Sequence, residues 1–183
     1  MGYGWRRMGK LLGLAVMVLM VAACVREPDE KPEQPLQAGD TLPEFSLEVG
    51  GQTVTRGSLL GKPSVVVFFR LSCPDCREEL PHLQQLYEKY YPEGGGVADG
   101  QITLLTISYK DTPQEIAAYW SSNGLTLPYG VMTDKADYER FALTAVPTVH
   151  VSDRNGVIRH ITRDNPIATF EELDGWVANL LKE

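Results

Sequence analysis

Three stretches of the chain are rich in apolar and β-branched residues over five to seven positions, which is typical of buried strands. Residues 65–69 are continuously apolar, residues 102–108 mix leucine and isoleucine with threonine, and residues 145–151 form a similar run around a proline. Because a continuously apolar run has no side suited to solvent, residues 65–69 are predicted to be the central strand of a sheet.

The segments between these strands carry apolar residues at helical spacing. After Pro74, leucines and tyrosines recur every three or four positions up to Tyr90, which predicts a helix that ends near Tyr91. The order strand, helix, strand, helix predicts a parallel βαβ unit with a right-handed crossover. Further helices are predicted at residues 113–122, 135–141 and 170–181, with N-caps at Asp111 or Thr112, at Asp134 and at Thr169.

Two β-hairpins are predicted outside this unit. Residues 45–55 alternate apolar and polar side chains around Gly50-Gly51, and residues 145–161 contain the tight-turn sequence Asp153-Arg154-Asn155-Gly156,. The second hairpin should form one edge of the sheet. The sequence thus predicts an α/β fold, with a central mixed β-sheet flanked by helices and an N-terminal β-hairpin extension.

The first 23 residues have the order of a bacterial export signal. Arg6, Arg7 and Lys10 precede an apolar run over residues 11–23, which is too short for a comfortable membrane-spanning helix of about 20 residues. The run ends in Val21-Ala22-Ala23-Cys24, which resembles a lipobox, so Cys24 is the expected lipidation site. The alternatives are an ordinary signal peptide with an incidental cysteine, or a plain N-terminal anchor.

A polar segment separates this signal from the rest of the chain. Residues 24–38 contain three prolines and few apolar residues, so they cannot form a core and are predicted to be a flexible tether. We therefore divide the chain into a lipoprotein-type signal peptide at residues 1–23, the tether at residues 24–38 and one domain at residues 39–183. This division predicts a domain outside the cytoplasm, in the cell envelope or periplasm, anchored to a membrane by lipid.

Composition and charge limit the class of partner. The chain has 183 residues, with 17 Lys and Arg against 24 Asp and Glu, and a formal net charge of −7. Without the first 23 residues, which hold three of the basic side chains, the balance is 14 against 24, or −10. An acidic domain without a basic stripe argues against a nucleic acid as the partner.

Two cysteines directly follow the predicted central strand and begin the next helix. Pro74 suits the first helical position, which puts Cys73 at the N-cap, where unpaired backbone N–H groups and the helix dipole favour a thiolate. Cys76 follows one turn later, close enough for a disulfide. A zinc site needs about four ligands, but only three histidines accompany the pair and none has a suitable spacing. A purely structural disulfide here would close so small a loop that it would add little stability.

Two motifs, Cys73-Pro74-Asp75-Cys76 and Val146-Pro147-Thr148, resemble those of the thioredoxin superfamily. The N-terminal hairpin, Glu79-Leu80-Pro81 and the lipobox narrow the resemblance to the membrane-tethered, TlpA/ResA-like thiol–disulfide oxidoreductases. The resemblance covers residues 39–183. It implies a thioredoxin-like fold and a redox-active disulfide between Cys73 and Cys76, and we expect neither a cofactor nor a metal.

The resemblance also implies a role for the residues of these motifs. Cys73 is the nucleophile that attacks a protein disulfide, and Cys76 resolves the mixed disulfide that forms. Pro147 matches the superfamily's cis-proline beside the cysteines, and Val146 offers backbone groups to an extended substrate. The predicted substrate-binding surface also includes the two residues between the cysteines, Pro74 and Asp75.

Glu79 lies one helical turn after Cys76, and in ResA-like proteins the matching glutamate is taken to move protons for the second cysteine. The aspartate that thioredoxins carry in the preceding strand is missing, because Val67 stands there. We therefore expect Glu79 to be a catalytic residue. The alternative is an ordinary helix glutamate exposed to solvent.

Several residues near the cysteines depart from the superfamily pattern or change its electrostatics. Ser72 stands where relatives usually have tryptophan. Asp75 opposes ionisation of the Cys73 thiol, whereas Arg70 and Arg77 favour it. We expect these opposing charges to make the Cys73–Cys76 dithiol/disulfide pair a reducing couple and not a strong oxidant.

The expected function is the reduction of disulfides in envelope proteins by a monomer that receives electrons from a membrane protein. One alternative is a thiol peroxidase, although Val66 and Arg70 hold the positions where peroxiredoxins have a proline and a threonine or serine. A second alternative is a non-catalytic interaction module whose disulfide is permanent.

Overall fold

The computed structural model describes residues 34–183, so the predicted signal peptide, Cys24 and most of the predicted tether lie outside the described residues. Within residues 34–183, no helix combines the length and the apolar character needed to cross a bilayer. The strands of this part are β1 (Ser46–Val49), β2 (Gln52–Thr55), β3 (Ser64–Phe69), β4 (Thr103–Ser108), β5 (Tyr129–Val131), β6 (Thr148–Ser152) and β7 (Ile158–Arg163). The helices are α1 (Pro74–Tyr90), α2 (Pro113–Asn123), α3 (Lys135–Arg140) and α4 (Phe170–Leu180), and a 3₁₀ turn spans Arg56–Leu59.

Five strands form a mixed sheet in the order β5-β4-β3-β6-β7. β3 pairs in parallel with β4, and β4 with β5, whereas β6 runs antiparallel to both β3 and β7. β1 and β2 form a separate antiparallel hairpin. The predicted fold class is therefore confirmed, and the continuously apolar strand lies at the centre because both of its faces are covered.

Alternate residues of β3 face two different layers. Val65, Val67 and Phe69 belong to a core cluster with residues of α1, α2 and α4. Val66 and Phe68 belong to a second cluster with residues of the β1–β2 hairpin and with Phe141, which follows α3. The sheet is thus sandwiched, and its central strand has no solvent-facing side.

The strand predicted over residues 145–151 begins later, at Thr148. The peptide bond between Val146 and Pro147 is cis, and a proline has no N–H to donate to a strand ladder. The Thr148 hydroxyl donates a hydrogen bond to the carbonyl of Ala145 at 2.7 Å. Residues 145–147 therefore form a loop at the mouth of the strand.

Packing on the domain begins before residue 39, where we expect the domain to start. Leu36, which we assigned to the tether, is 5% exposed and belongs to the same core cluster as the β1–β2 hairpin. Arg163 of β7 also donates a hydrogen bond to the Leu36 carbonyl. The folded region therefore includes Leu36, because its apolar side chain is buried against the domain although its neighbours in the sequence are polar.

Gly130 of β5 is the contact point between the sheet and the N-terminal hairpin. A Cβ atom at this position would clash with the Leu47 side chain and would lie 3.1 Å from Cγ2 of Val49. We expect Gly130→Ala to lower the free energy of unfolding by about 1–3 kcal/mol, since overpacking must push the hairpin away. Urea unfolding measures the change.

Gly175→Ala is the matched control for this substitution. A Cβ atom at Gly175, in the middle of α4, meets nothing within 4 Å beyond the backbone of its own helix and its chain neighbours, so alanine should stabilise the helix by about 0.5–1 kcal/mol. If Gly130→Ala were as stable as the parent protein, the hairpin would not pack against β5 as described.

Candidate active site

The cysteine pair lies at the carboxyl end of β3, where α1 begins. Cys73 is the N-cap of α1 and Pro74 occupies the first turn, as their order in the sequence predicts. The Cys73 Sγ accepts a hydrogen bond from the backbone N–H of Cys76 at 3.2 Å. This sulfur therefore sits at the positive end of the helix dipole, a position that stabilises a thiolate.

The two thiols differ in their access to solvent. Both are free in this structure; Cys73 is partly exposed, whereas Cys76 is only 1% exposed. Burial raises the pKa of the Cys76 thiol far above its usual value, and the hydrogen bond with Cys73 and the nearby Glu79 carboxyl raise the pKa further. Cys73 is thus the sulfur that solvent can reach, and Cys76 is buried.

The loop around Pro147 contacts the cysteine pair directly. The Cys73 thiol donates a hydrogen bond to the carbonyl oxygen of Val146 at 3.4 Å, across 73 residues of sequence. Val146 is partly exposed, as are Cys73 and Asp75, and Pro74 is exposed. Pro147 is buried, as is Thr148, so the two motifs lie together but only Val146 of the second is accessible beside Cys73.

Glu79 is buried directly behind this surface. It is 1% exposed, its Oε1 accepts a hydrogen bond from the backbone N–H of Ala168 at 2.9 Å, and its Oε2 is buried without a hydrogen-bond partner among residues 34–183. Burial raises the pKa of the Glu79 carboxyl to about 7, although the Ala168 N–H acts in the opposite direction. Glu79 is therefore not the solvated helix glutamate of the alternative interpretation.

Asp111 is a site residue that sequence reasoning missed. We proposed it or Thr112 as the N-cap of α2, and Thr112 is the cap. The Asp111 Oδ2 instead accepts hydrogen bonds from the Leu71 backbone N–H at 3.0 Å and from the Ser108 hydroxyl at 2.7 Å. One carboxylate thus joins the end of β4 to the loop that leads into Cys73. The position of Asp111 just after β4 could have indicated a site residue, but a role as the N-cap of α2 explained that position equally well.

The thioredoxin-like sheet and the pair of thiols at the start of α1, one partly exposed and one buried, define a thiol–disulfide oxidoreductase. The chain belongs to the AhpC/TSA family, whose model matches residues 38–161.

Named relatives agree with this class. The thiol–disulfide oxidoreductase YkuV of Bacillus subtilis is 31% identical over 124 residues, which cover 65% of this chain and 80% of the relative. The thiol–disulfide oxidoreductase ResA of Oceanobacillus iheyensis is 23% identical over 172 residues, which cover 91% and 85%. A crystal structure of a thiol:disulfide interchange protein from Chlorobium tepidum superposes with a TM-score of 0.61 at 23% identity, over 81% of this chain and 99% of that one. At this identity the last comparison supports the fold alone.

Proposed function

We propose that this protein reduces disulfides of other proteins through a Cys73/Cys76 cycle. The observation that carries the proposal is the pairing of an accessible thiol at a helix N-cap with a buried thiol one turn later. A disulfide exchange needs one sulfur that reaches the substrate and a second that reaches only the first.

The cycle has two balanced steps. The Cys73 thiolate attacks one sulfur of the substrate disulfide, which forms a mixed disulfide and releases the other substrate sulfur as a thiolate. The Cys76 thiolate then attacks the Cys73 sulfur, forms the Cys73–Cys76 disulfide and releases the substrate as a dithiol. The protein gives up two electrons in each cycle, so a reductant outside the domain must return them, and the proposed reductant is a membrane protein.

Glu79 is the candidate base for the second step. Cys76 must lose a proton before it attacks, and burial holds its thiol protonated. A carboxyl whose pKa is near 7 accepts and returns protons at neutral pH more readily than an ordinary carboxyl does,. The Ala168 N–H fixes the orientation of this carboxyl, which supports a dedicated role.

The proposed substrate-binding surface has Val146 on one side, with Pro147 buried next to it, and Pro74 and Asp75 on the other. Val146 already accepts a hydrogen bond from the nucleophile. An extended substrate segment that pairs with the Val146 backbone would therefore place its own sulfur beside Cys73.

The proposed location is the outer side of a bacterial membrane. The export signal, the lipobox ending in Cys24 and the polar segment after it support a monomeric domain that is anchored by lipid and acts on envelope proteins,. Protein disulfides, the substrates of a reductase, persist in oxidising compartments and are rare in the cytoplasm.

One set of measurements tests the proposed function. The Cys73–Cys76 pair should titrate reversibly in a redox buffer, reduce insulin and, as Cys76→Ser, form mixed disulfides with envelope proteins. The double variant Cys73→Ser/Cys76→Ser is the control and should trap none. A pair that never exchanges would instead indicate a non-catalytic module, and turnover of peroxide without insulin reduction would indicate a thiol peroxidase.

A further inference from the structure

A cavity of about 320 Å³ lies near the start of the loop that leads into Cys73, on the face of the sheet that carries α3. Arg70, at the end of β3, forms one wall, and Ala142 and Leu143, in the loop before Val146, form another. Tyr109 and Lys110, just after β4, line the side between them. The cavity therefore opens between the two segments that hold Cys73.

One backbone hydrogen bond and one short stretch of chain link this cavity to Cys73. The Arg70 carbonyl accepts a hydrogen bond from the backbone N–H of Cys73 at 3.2 Å. Leu143 lies three residues before Val146, whose carbonyl the Cys73 thiol contacts. A substrate segment that crosses Cys73 and the Val146 loop would therefore have neighbouring side chains at the mouth of the cavity.

Stacked aromatic rings give the cavity a firm wall. The rings of Tyr109 and Tyr138 stack with centroids 4.2 Å apart and planes inclined by 18°. Tyr138 is held in turn by an edge contact with Phe68 of the central strand. The Lys110 Nζ lies 4.8 Å from the centre of the Tyr109 ring, so its ammonium group is kept near the cavity.

The charges that line the cavity are mainly positive. Lys135 forms an ion pair with Glu139 at 3.3 Å, but Arg70 and Lys110 have no ion pair with any residue from 34 to 183. The Nε of Arg70 is buried and has no hydrogen-bond partner within the same range. The nearest acidic side chain along the chain, Asp111, uses its Oδ2 to bind Leu71 and Ser108.

We propose that this cavity is a subsite for a carboxylate, the side chain of an Asp or Glu that lies within a few residues of the cysteine attacked by Cys73. A guanidinium and an adjacent ammonium, neither of them in an ion pair within residues 34–183, together attract a carboxylate. Arg70 and Lys110 therefore bring positive charge to one cavity of a protein whose formal net charge is −7. The inference rests on the proposed function and adds to it the class of substrate.

The position of the cavity favours a side chain of the substrate protein over a free anion. A small anion would need no adjacent peptide-binding loop, whereas this cavity is bordered by the residues that lead to Val146 and Pro147. Competition by inorganic phosphate tests this choice. Phosphate should weaken turnover of an acidic substrate only at concentrations that also screen charges generally.

A matched pair of disulfide peptides tests the inference. The two peptides differ only in Glu or Gln at one position, which is scanned over three residues on each side of the target cysteine. We expect kcat/KM to favour the Glu peptide by about tenfold at the best position, which corresponds to about 1.4 kcal/mol. The preference should fall with added salt.

Two substitutions test whether the preference for the Glu peptide arises at this cavity. Lys110→Gln should reduce the ratio to about twofold, mainly through KM, because it removes an attraction in the bound state. Lys182→Gln, which removes the same charge at an exposed position near the carboxyl terminus, should keep the ratio of the parent protein. A ratio of one in the parent protein, or an unchanged ratio in Lys110→Gln, would overturn the inference.

A binding experiment without turnover separates this inference from the proposed function. The same peptides, with their cysteines blocked, are titrated into Cys73→Ser/Cys76→Ser protein while the ring signals of Tyr109 and Tyr138 are followed by NMR. Tighter binding of the Glu peptide with shifts of these rings supports the subsite, and equal binding of both peptides overturns it. Failure of the parent protein to reduce either peptide would count against the proposed function only.

Discussion

Replacing Glu79 with glutamine should stabilise the protein by up to about 3 kcal/mol at pH 8 and change its stability little at pH 4. The reason is the burial that raises the pKa of this carboxyl from 4.5 to about 7. The folded protein therefore holds a proton that the unfolded chain releases between these two values. Stability is full below pH 4.5 and declines as the pH rises through 7, because the folded protein must then bury a charge.

Glutamine keeps the acceptor for the Ala168 N–H but carries no charge at any pH. Urea unfolding of the reduced protein from pH 4 to pH 8 gives the difference between the two proteins. Glu78→Gln, which removes an exposed carboxyl from the same helix, is the control and should show no such trend. A constant difference between Glu79→Gln and the parent protein across this range would show that the carboxyl is not buried in its ionised form.

The same substitution should slow the second step of the proposed cycle by about 10², the lower end of what general base catalysis contributes. Without a carboxylate beside it, Cys76 must lose its proton to water. The mixed disulfide with a model thiol should therefore persist, and the inflection of its release rate near pH 7 should disappear. Equal release rates in the two proteins from pH 5 to pH 9 would remove Glu79 from the mechanism.

Acidification below pH 6.5 should destabilise the protein through His150 by several kcal/mol before pH 3 is reached. His150 is 1% exposed, and its Nδ1 has no hydrogen-bond partner within residues 34–183. Burial and, to a smaller extent, the Arg163 charge lower the pKa of its imidazole from 6.5 to about 3. Between these values the unfolded chain binds a proton that the folded protein excludes, so stability is full above pH 6.5 and is lost as the pH falls.

The pH windows of His150 and Glu79 overlap with opposite signs. Between pH 4.5 and pH 6.5, acidification costs stability at His150 and restores stability at Glu79, so the parent protein should show a nearly flat profile there. The two residues face different core clusters across the sheet, since His150 contacts Phe68 and Phe141 whereas Glu79 bonds Ala168. Their contributions should therefore add independently.

In Glu79→Gln, the free energy of unfolding should therefore fall as the pH is lowered from 6.5 to 4.5, because only the His150 effect remains. The further substitution His150→Leu should remove this dependence on pH. Above pH 7, where the imidazole is neutral in both states, the curves with and without His150 should run parallel, which provides the internal control. Persistence of the acid slope in the double variant would show that another group excludes the proton.

The local features of this protein could be predicted from neighbouring residues. The apolar run at residues 65–69 required a strand covered on both faces, and Pro74 after Cys73 required a helix that starts with the thiol at its N-cap. Thr169 likewise had to cap the last helix. In each case the deciding interactions lie within a few residues of one another, where dihedral preferences and hydrogen bonds to the nearest backbone dominate.

Only the tertiary structure decided what surrounds these elements. The burial of Glu79 depends on the segment before α4, whose Ala168 N–H lies 89 residues further along the chain. The role of Asp111 depends on the distant Leu71 N–H, and the site of Leu36 depends on Arg163 and the hairpin. A side chain's solvation and electrostatic environment are sums over all neighbours in space, and a pattern along the chain does not contain those neighbours. The sequence alone thus determined which residues could carry redox chemistry, whereas the packing decided which carboxyl lies buried behind the pair and which cations remain unpaired beside it.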